Sequence, residues 1–388
     1  MVVYVKTQGA RIVKEGRHLL VKKGTDTYNT LFTYKLKQIV LFGNVEITHR
    51  ALAQIMRHEI DTVFLTQNGR YLGRIASPES RNVFLHKRQY RLLDDPAFTL
   101  KMARAIVHGK LTNMATLLLR IRRSRGEDLP GRKAREIQEL QRMLEKADSV
   151  DSIRGYEGRG SALYFEAFPH GFIENQGFTR RIRRPPTDPV NSILSLLYTF
   201  LMNRMYAAVR VAALDPYPGF LHAIDYGRYS LVLDLMEEFR TIIADTLALS
   251  LFNLKILKKE DFYEEKPQGE ERDIMQDAVR AQVGDVTKDP IGWISNMEQD
   301  SVSFDIPEQR MEEQGAAYAR PTGKYPVKLH PDAFQRVIEA FEKKLTTEFF
   351  YPPAERSLTY ADALIYQAGH YRKVIEGEAE VYQPVLLK

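Results

Sequence analysis

The chain has 388 residues, no cysteine and a formal net charge of +6, with 56 Lys and Arg against 50 Asp and Glu. The missing thiols exclude disulfides, cysteine nucleophiles and thiolate zinc sites, so oxygen and imidazole groups must hold any bound metal. This length favours two domains, and the basic balance favours a polyanionic partner. There is no signal-like N-terminus and no apolar run of about 18 residues, which predicts a cytoplasmic protein without membrane contact.

Short strand-like segments separated by turn residues fill residues 2–75, among them VVYVKT, ARIVKEG, HLLVKKG and QIVLFGN. Asn68 and Gly69 lie between two β-rich runs, which predicts a hairpin because both residues tolerate a positive φ angle. Thr48 is predicted to cap a short amphipathic helix. We therefore expect a mostly β domain over residues 1–94.

The periodicity becomes helical after Asp95, where apolar residues recur at steps of three and four. Residues 189–214 are apolar on nearly all sides, which predicts a helix buried inside a large protein. Further helices are predicted after Ser230, which would act as an N-cap, and over residues 332–345. An all-α domain over residues 95–388 is expected, and the fold class is therefore α+β.

One part of the second domain, residues 258–324, has a different composition. It is charged and is interrupted repeatedly by proline and glycine. Such a composition predicts a long surface excursion.

Acidic residues and one histidine stand in otherwise apolar or glycine-rich segments. Glu157 lies in IRGYEGRGSALYF and His222 in LDPYPGFLHAIDYGRYS. On the helix that follows, Asp234 shares a face with both Glu237 and Glu238, three and four residues later. Carboxylates and an imidazole suit a manganese or magnesium ion, which assists chemistry on phosphodiesters. The alternative is that the acids form a solvated helix surface and the histidine is a hydrogen-bonded core residue.

Two basic clusters flank the segment that contains Glu157. The first contains Arg120, Arg122, Arg123 and Arg125, and the second contains Arg180, Arg181, Arg183 and Arg184. Arginine makes bidentate contacts with phosphate, so both clusters are predicted to contact DNA or RNA, although each could instead be a solvated face. No P-loop, dinucleotide-binding, HExxH or GxSxG signature is present, so the sequence gives no support to ATP-driven, dinucleotide-dependent or serine-hydrolase chemistry.

Several segments between about residues 38 and 245 resemble the CRISPR-associated integrase family numbered first among the Cas proteins. They are QIVLFGNVEITHRAL, VFLTQNGRYLGRI, IRGYEGRGSALYF, RRPPTDPVNSILSLLYTFL and LDPYPGFLHAIDYGRYSLVLDLMEEFR. The resemblance implies an N-terminal β domain that forms a homodimer, joined to an α-helical catalytic domain. It also implies assembly with the small CRISPR adaptation protein numbered second.

The resemblance further implies one divalent ion, Mn²⁺ or Mg²⁺, held by Glu157, His222 and Glu237. Asp234 would support the site and is the second candidate for the third ligand, and Glu238 is a further one. The enzyme would use the 3′-hydroxyl of a short DNA fragment to attack a phosphodiester of double-stranded DNA in the array, and the reverse reaction would cleave branched DNA. Two alternatives remain at this point: a non-catalytic nucleic-acid scaffold, and a transposon-encoded integrase of the same fold.

Overall fold

The computed structural model describes residues 1–67, 69, 71–75, 82–182, 185–265 and 325–387. Three residues named from the sequence, Asn68, Arg183 and Arg184, lie outside this set, as does most of the segment 258–324. Within the described residues a strand-rich region precedes a helix-rich region, which confirms the expected α+β order.

The strands of the first region form two mixed sheets. They are β1 (Val2–Val5), β2 (Ala10–Glu15), β3 (His18–Lys23), β4 (Asp26–Phe32), β5 (Gln38–Phe42), β6 (Val45–Ile47), β7 (Asp61–Leu65) and β8 (Tyr71–Ile75). Among the described residues one sheet has the order β1-β5-β7-β8 and the other β4-β3-β2-β6. The predicted hairpin is the antiparallel pair β7 and β8, with Gly69 at a φ of 85°. Thr48 caps helix α1 (His49–Arg57), as expected.

The sheet β1-β5-β7-β8 is covered on both faces. Along β5, Ile39 and Leu41 belong to a small core shared with α1 and the second sheet, whereas Val40 and Phe42 belong to the large core of the helices. Successive residues of a strand point to opposite faces, so both faces of this strand are apolar. This two-sided burial explains the uninterrupted apolar run of β5, and it joins the two regions through packed side chains.

Long helices dominate the second region. They are α2 (Val83–Leu93), α3 (Pro96–Arg125), α4 (Asp128–Leu144), α5 (Val150–Ala167), α6 (Pro189–Val211), α7 (Ser230–Phe239), α8 (Thr246–Asn253), α9 (Pro331–Thr346) and α10 (Tyr360–Glu376). α3 begins where the periodicity changes, because Asp95 accepts hydrogen bonds from the first backbone N–H groups and Pro96 occupies the first helical position. α6 and α9 confirm the predicted buried helix and the predicted helix near the end of the chain.

The helix after the His222 segment differs from its prediction in two respects. Ser230 is the first helical residue and not the cap, since its hydroxyl donates to the carbonyl of Ala223 at 2.9 Å. The helical run is also divided, with a π-helical segment, Arg240–Asp245, between α7 and α8. Such insertions are common at functional sites.

The second region also contains two short antiparallel ladders, so the expectation of an all-α domain is wrong in this detail. β9 (Phe262–Glu264) pairs with β10 (Val327–Leu329), and β11 (Glu348–Tyr351) pairs with β12 (Arg356–Thr359). The first ladder pairs residues near the start of the segment predicted to be an excursion with residues just after its end. Among the described helices, none is both long and apolar enough to span a bilayer.

Candidate active site

Three elements bring the predicted site residues together in the protein interior. α5 carries Glu157, the loop before α7 carries His222, and α7 carries Asp234 and Glu237. Each of the four is at most 8% exposed. His222 Nε2 lies 3.7 Å from Glu237 Oε1. The alternative of a solvated acidic face therefore does not describe these residues.

Asp234 organises the loop that carries the histidine. Its Oδ2 accepts hydrogen bonds from the backbone N–H groups of Phe220 at 2.6 Å and Leu221 at 2.9 Å, and its Oδ1 accepts from the N–H of His222 at 2.9 Å. Gly219 permits this close wrap, since a Cβ there would lie 2.8 Å from Asp234 Oδ2. The loop is thus folded around a buried carboxylate.

The same carboxylate fixes the imidazole of His222. Asp234 Oδ1 lies 2.7 Å from His222 Nδ1. A carboxylate only accepts hydrogen bonds, so Nδ1 carries the proton that binds Asp234, and Nε2 is turned towards Glu237. A histidine oriented through one nitrogen by a carboxylate is the usual arrangement of a metal ligand.

Lys110 of α3, which was not among the residues predicted from the sequence, lies between the two glutamates. Its Nζ is 2.9 Å from Glu237 Oε2 and forms a second ion pair with Glu157 Oε1. Ser161, one turn after Glu157, donates a hydrogen bond to the same Oε1 at 2.9 Å. The carboxylates of two helices are therefore bridged by an ammonium group from a third.

A sequence signal for Lys110 did exist. It occupies a position in the apolar stripe of α3 between Ile106 and Met114, both of which are buried. A lysine in such a stripe is seldom buried unless its charge is paired. That signal locates a buried ion pair but not its partners.

Arg240, at the start of the π-helical segment, pairs with the other oxygen of the Glu237 carboxylate. Its Nη1 lies 3.0 Å from Glu237 Oε1, and its guanidinium lies over the ring of Tyr198 at 5.2 Å. At the end of that segment Asp245 accepts hydrogen bonds from the hydroxyls of Tyr164 and Tyr198, at 2.8 and 2.7 Å. Burial raises the pKa of Asp245 and of both tyrosines. The backbone after Glu237 is thus fixed by a buried polar network.

The chemistry of these groups fits a divalent cation. Among the described residues no three acidic or histidine side chains already form a coordination shell, and Lys110 occupies the space between Glu157 and Glu237. The ammonium shows that this space attracts positive charge. The two carboxylates around it, and the imidazole of His222 beside Glu237, are ligands that manganese and magnesium accept.

Glu238 points away from this group of residues. It accepts hydrogen bonds from the Tyr382 hydroxyl and the Val385 backbone N–H, with Gln367 Nε2 at 3.5 Å. Burial raises the pKa of Glu238 to about 8, and these hydrogen bonds oppose that shift. Glu238 therefore anchors the C-terminal segment, and the structure does not support it as the third ligand.

The first basic cluster forms an exposed surface at the end of α3. The exposed residues of this cluster are Arg120, Arg122, Arg123 and Arg125. They follow Lys110 on the same helix by 10 to 15 residues, which places them about 15 to 22 Å along the helix axis from the site. This surface is available to a bound polyanion.

The second cluster is less uniform than its sequence suggests. Arg180 is exposed, whereas Arg181 is half-buried and donates to Asn191 Oδ1 at 2.8 Å and to Ser195 Oγ at 3.0 Å. Arg181 thus ties the segment before α6 to that helix. Its predicted role in DNA binding gains no support from these contacts.

Comparison with known proteins gives consistent matches over most of the chain. Residues 3–283 match the family described as CRISPR associated protein Cas1. CRISPR-associated endonuclease Cas1 3 of Thermus thermophilus is 36% identical over 263 residues, which are 67% of this chain and 77% of that protein. CRISPR-associated endonuclease Cas1 2 of Rhodospirillum rubrum is 34% identical over 271 residues, 67% of this chain and 78% of that protein.

Solved structures share the fold at lower sequence identity. A casposase bound to its integration product superposes with a TM-score of 0.75 at 18% identity, covering 98% of this chain and 92% of that one. A CAS1 protein from Thermotoga maritima gives 0.73 at 17% identity, with 98% of both chains covered. A chain of a Cas6-RT-Cas1–Cas2 complex gives 0.75 at 21% identity, covering 99% of this chain and 36% of that one.

Proposed function

The chain belongs to the Cas1 family of CRISPR-associated proteins, and we propose that it acts on DNA through a divalent ion held by Glu157, His222 and Glu237. As a member of this family it is a DNA endonuclease and integrase of CRISPR adaptation. The observation that carries the proposed ion site is that two buried carboxylates, those of Glu157 and Glu237, meet at one ammonium group, with His222 Nε2 3.7 Å from the Glu237 carboxylate.

The protein groups have separate tasks in this proposal. Glu157 and Glu237 supply carboxylate oxygens, and His222 supplies Nε2. Asp234 keeps the proton on His222 Nδ1, and Arg240 holds the Glu237 carboxylate in place. A bound Mn²⁺ or Mg²⁺ ion would neutralise charge on the phosphoryl group and polarise its bonds to oxygen.

The reaction is a transesterification at phosphorus. The 3′-oxygen of the short DNA fragment forms a bond to phosphorus, and the bond from phosphorus to the 3′-oxygen of the array strand breaks. One phosphodiester replaces another, so no nucleotide hydrolysis is needed, consistent with the missing P-loop signature. Attack by water in place of the hydroxyl gives cleavage, and the reverse of joining opens branched DNA.

The arginine surface at the end of α3 would hold the duplex. Arg120, Arg122 and Arg123 are exposed on the helix that also carries Lys110, so phosphates bound there would lead towards the site. Contacts of this kind are independent of DNA sequence and weaken as salt is added.

Assembly is the other part of the proposal. β4 is an edge strand, and the exposed rings of Tyr28 and Phe32 lie on it. A second copy of the chain would cover this edge, which would otherwise invite aggregation. The similar fold found in a complex that contains Cas1 and Cas2 supports a small second CRISPR protein as a further partner.

The test of the ion site uses Glu157→Gln, His222→Ala and Glu237→Gln with branched and supercoiled DNA in manganese, magnesium or EDTA. Each change should abolish cleavage and strand transfer, because an ion with three protein ligands loses affinity and geometry when one is removed. Duplex binding should remain, since it depends on the arginines. Glu166→Gln is the matched control, because this glutamate lies on the same helix as Glu157 but is exposed and pairs with Lys133.

Full activity in a folded His222→Ala or Glu157→Gln protein would contradict the assignment, and so would activity that survives EDTA. An active Glu237→Gln protein beside an inactive Asp234→Ala protein would keep the ion and change the third ligand.

A further inference from the structure

Lys110 links three helices at the centre of the site. The residue lies on α3, and its two carboxylate partners lie on α5 and α7. Its side chain is 3% exposed, so water does not solvate the ammonium group appreciably. The carboxylates of Glu157 and Glu237 take the place of that water.

A purely structural role explains this arrangement poorly. Burying an ammonium group costs several kcal/mol, and an apolar residue in the same stripe of α3 would avoid that cost. The benefit lies with the carboxylates, because two buried anions that approach one another repel and need a cation between them. Lysine suits a temporary cation, since its charge is compact and its four-carbon stem is flexible.

We propose that Lys110 is a positioning residue that holds Glu157 and Glu237 together before a divalent ion binds and withdraws from between them when the ion arrives. The inference rests on the ion site proposed above. The ammonium group and a divalent ion would occupy the same space between the two carboxylates, and their like charges repel strongly in a buried site. Lys110 therefore competes with the ion. When no ion is bound, Lys110 prevents the two carboxylates from separating.

The test compares the wild-type protein with Lys110→Gln, which retains a hydrogen-bond donor but removes the charge. Calorimetric titration with Mn²⁺ should show binding at least about tenfold tighter in the variant, because the competing charge is gone. Thermal unfolding in EDTA should occur at a lower temperature than in wild type, since the carboxylates then repel. Saturating Mn²⁺ should raise the unfolding temperature of the variant by more than it raises that of wild type.

Lys344→Gln is the matched control. Lys344 is a half-buried lysine on α9, and its Nζ lies 4.7 Å from the centre of the Tyr360 ring and not between carboxylates. Its replacement should leave the affinity for Mn²⁺ unchanged and should shift the unfolding temperature equally in both buffers.

Three results would overturn the role of Lys110 while leaving the ion site intact. They are unchanged or weaker Mn²⁺ binding by Lys110→Gln when wild type binds the ion, an equal loss of stability in EDTA and in Mn²⁺, and failure of the variant to fold in either buffer. Absence of Mn²⁺ binding by wild type would instead overturn the ion site, and the inference with it.

Discussion

We expect Asp234→Asn to loosen the loop that carries His222 and leave the surrounding helices folded. The carboxylate accepts hydrogen bonds from three consecutive backbone N–H groups, beginning at Phe220, and from the imidazole. The amide of asparagine has only one acceptor oxygen. Its NH₂ group would replace the second carboxylate oxygen and would face the donors that this oxygen now accepts from. At least one buried donor would therefore lose its partner.

The magnitude follows from the bonds that one oxygen makes. Oδ2 accepts from Phe220 and Leu221, and Oδ1 accepts twice from His222. Hydrogen bonds to a charged acceptor contribute about 1.5–3 kcal/mol each, and a buried donor left unsatisfied costs about 1–3 kcal/mol. Allowing for relaxation of the loop, the free energy of unfolding should fall by about 2–4 kcal/mol. The imidazole also loses its orienting acceptor, so strand transfer should fall by about 10- to 100-fold.

Two measurements check this prediction: urea unfolding followed by circular dichroism, and strand transfer at increasing Mn²⁺ concentration. Asp95→Asn is the matched control, because Asp95 also accepts from backbone N–H groups but does so at the exposed start of α3. Asparagine caps a helix about as well as aspartate, so that change should be nearly neutral. An Asp234→Asn protein as stable and active as Asp95→Asn would refute the assigned role of the carboxylate.

The other predictions concern the helix that carries Glu157 and the basic surface. Gly155→Ala should stabilise the protein by about 0.5–1 kcal/mol, since a Cβ there meets no atom within 4 Å and alanine favours the helix. Gly160→Ala should destabilise it by about 1–3 kcal/mol, because its Cβ would clash with Leu111 Cδ2. Urea unfolding measures the free energy of unfolding of both variants. A Gly160→Ala protein more stable than Gly155→Ala would contradict the packing of α5 on α3. Replacing Arg122 and Arg123 with Gln should weaken duplex binding and reduce the slope of log affinity against log salt by about 0.9 for each phosphate that is no longer neutralised. Fluorescence anisotropy over a salt series measures that slope, and an unchanged slope would place the DNA elsewhere.

The sequence was a good guide to elements whose periodicity is long or unbroken. The apolar run of β5 and the all-round apolar helix α6 are both buried as expected. β4 could not be recognised in this way because nearly all of its residues are exposed and no apolar alternation marks it. The ladders of the second region were equally hidden because their strands, of three or four residues, are too short to show a period.

Some residues of the site could be predicted from the sequence, and others could be recognised only in the tertiary structure. Glu157, His222 and Glu237 could be proposed from their segments and from the family resemblance. Lys110 could not, because its role appears only when α3, α5 and α7 come together. Arg181 is the opposite case, a residue that the sequence assigned to the DNA-binding surface. In the structure its side chain donates a hydrogen bond to Asn191 within the protein.

The tail of the chain explains how the backbone of the site is held in place. Asn113, one turn after Lys110, donates hydrogen bonds to the carbonyls of Glu238 and Val385, both at 2.8 Å. On the same face of α3, a Cβ at Gly109 would lie 2.4 Å from Pro384, so the tail packs directly on this helix.

α7 therefore has two functions on two faces. Asp234 and Glu237 face the loop of His222, whereas the next residue, Glu238, binds the tail that also packs on α3. The helices that carry Lys110 and Glu237 are thus joined within one turn of the site, which limits movement of their backbones relative to one another. Replacement of the ammonium group by a metal ion must then occur mainly through movement of side chains. The long, flexible stem of Lys110 meets that requirement, whereas a shift of either helix would break the hydrogen bonds of Asn113 and Glu238.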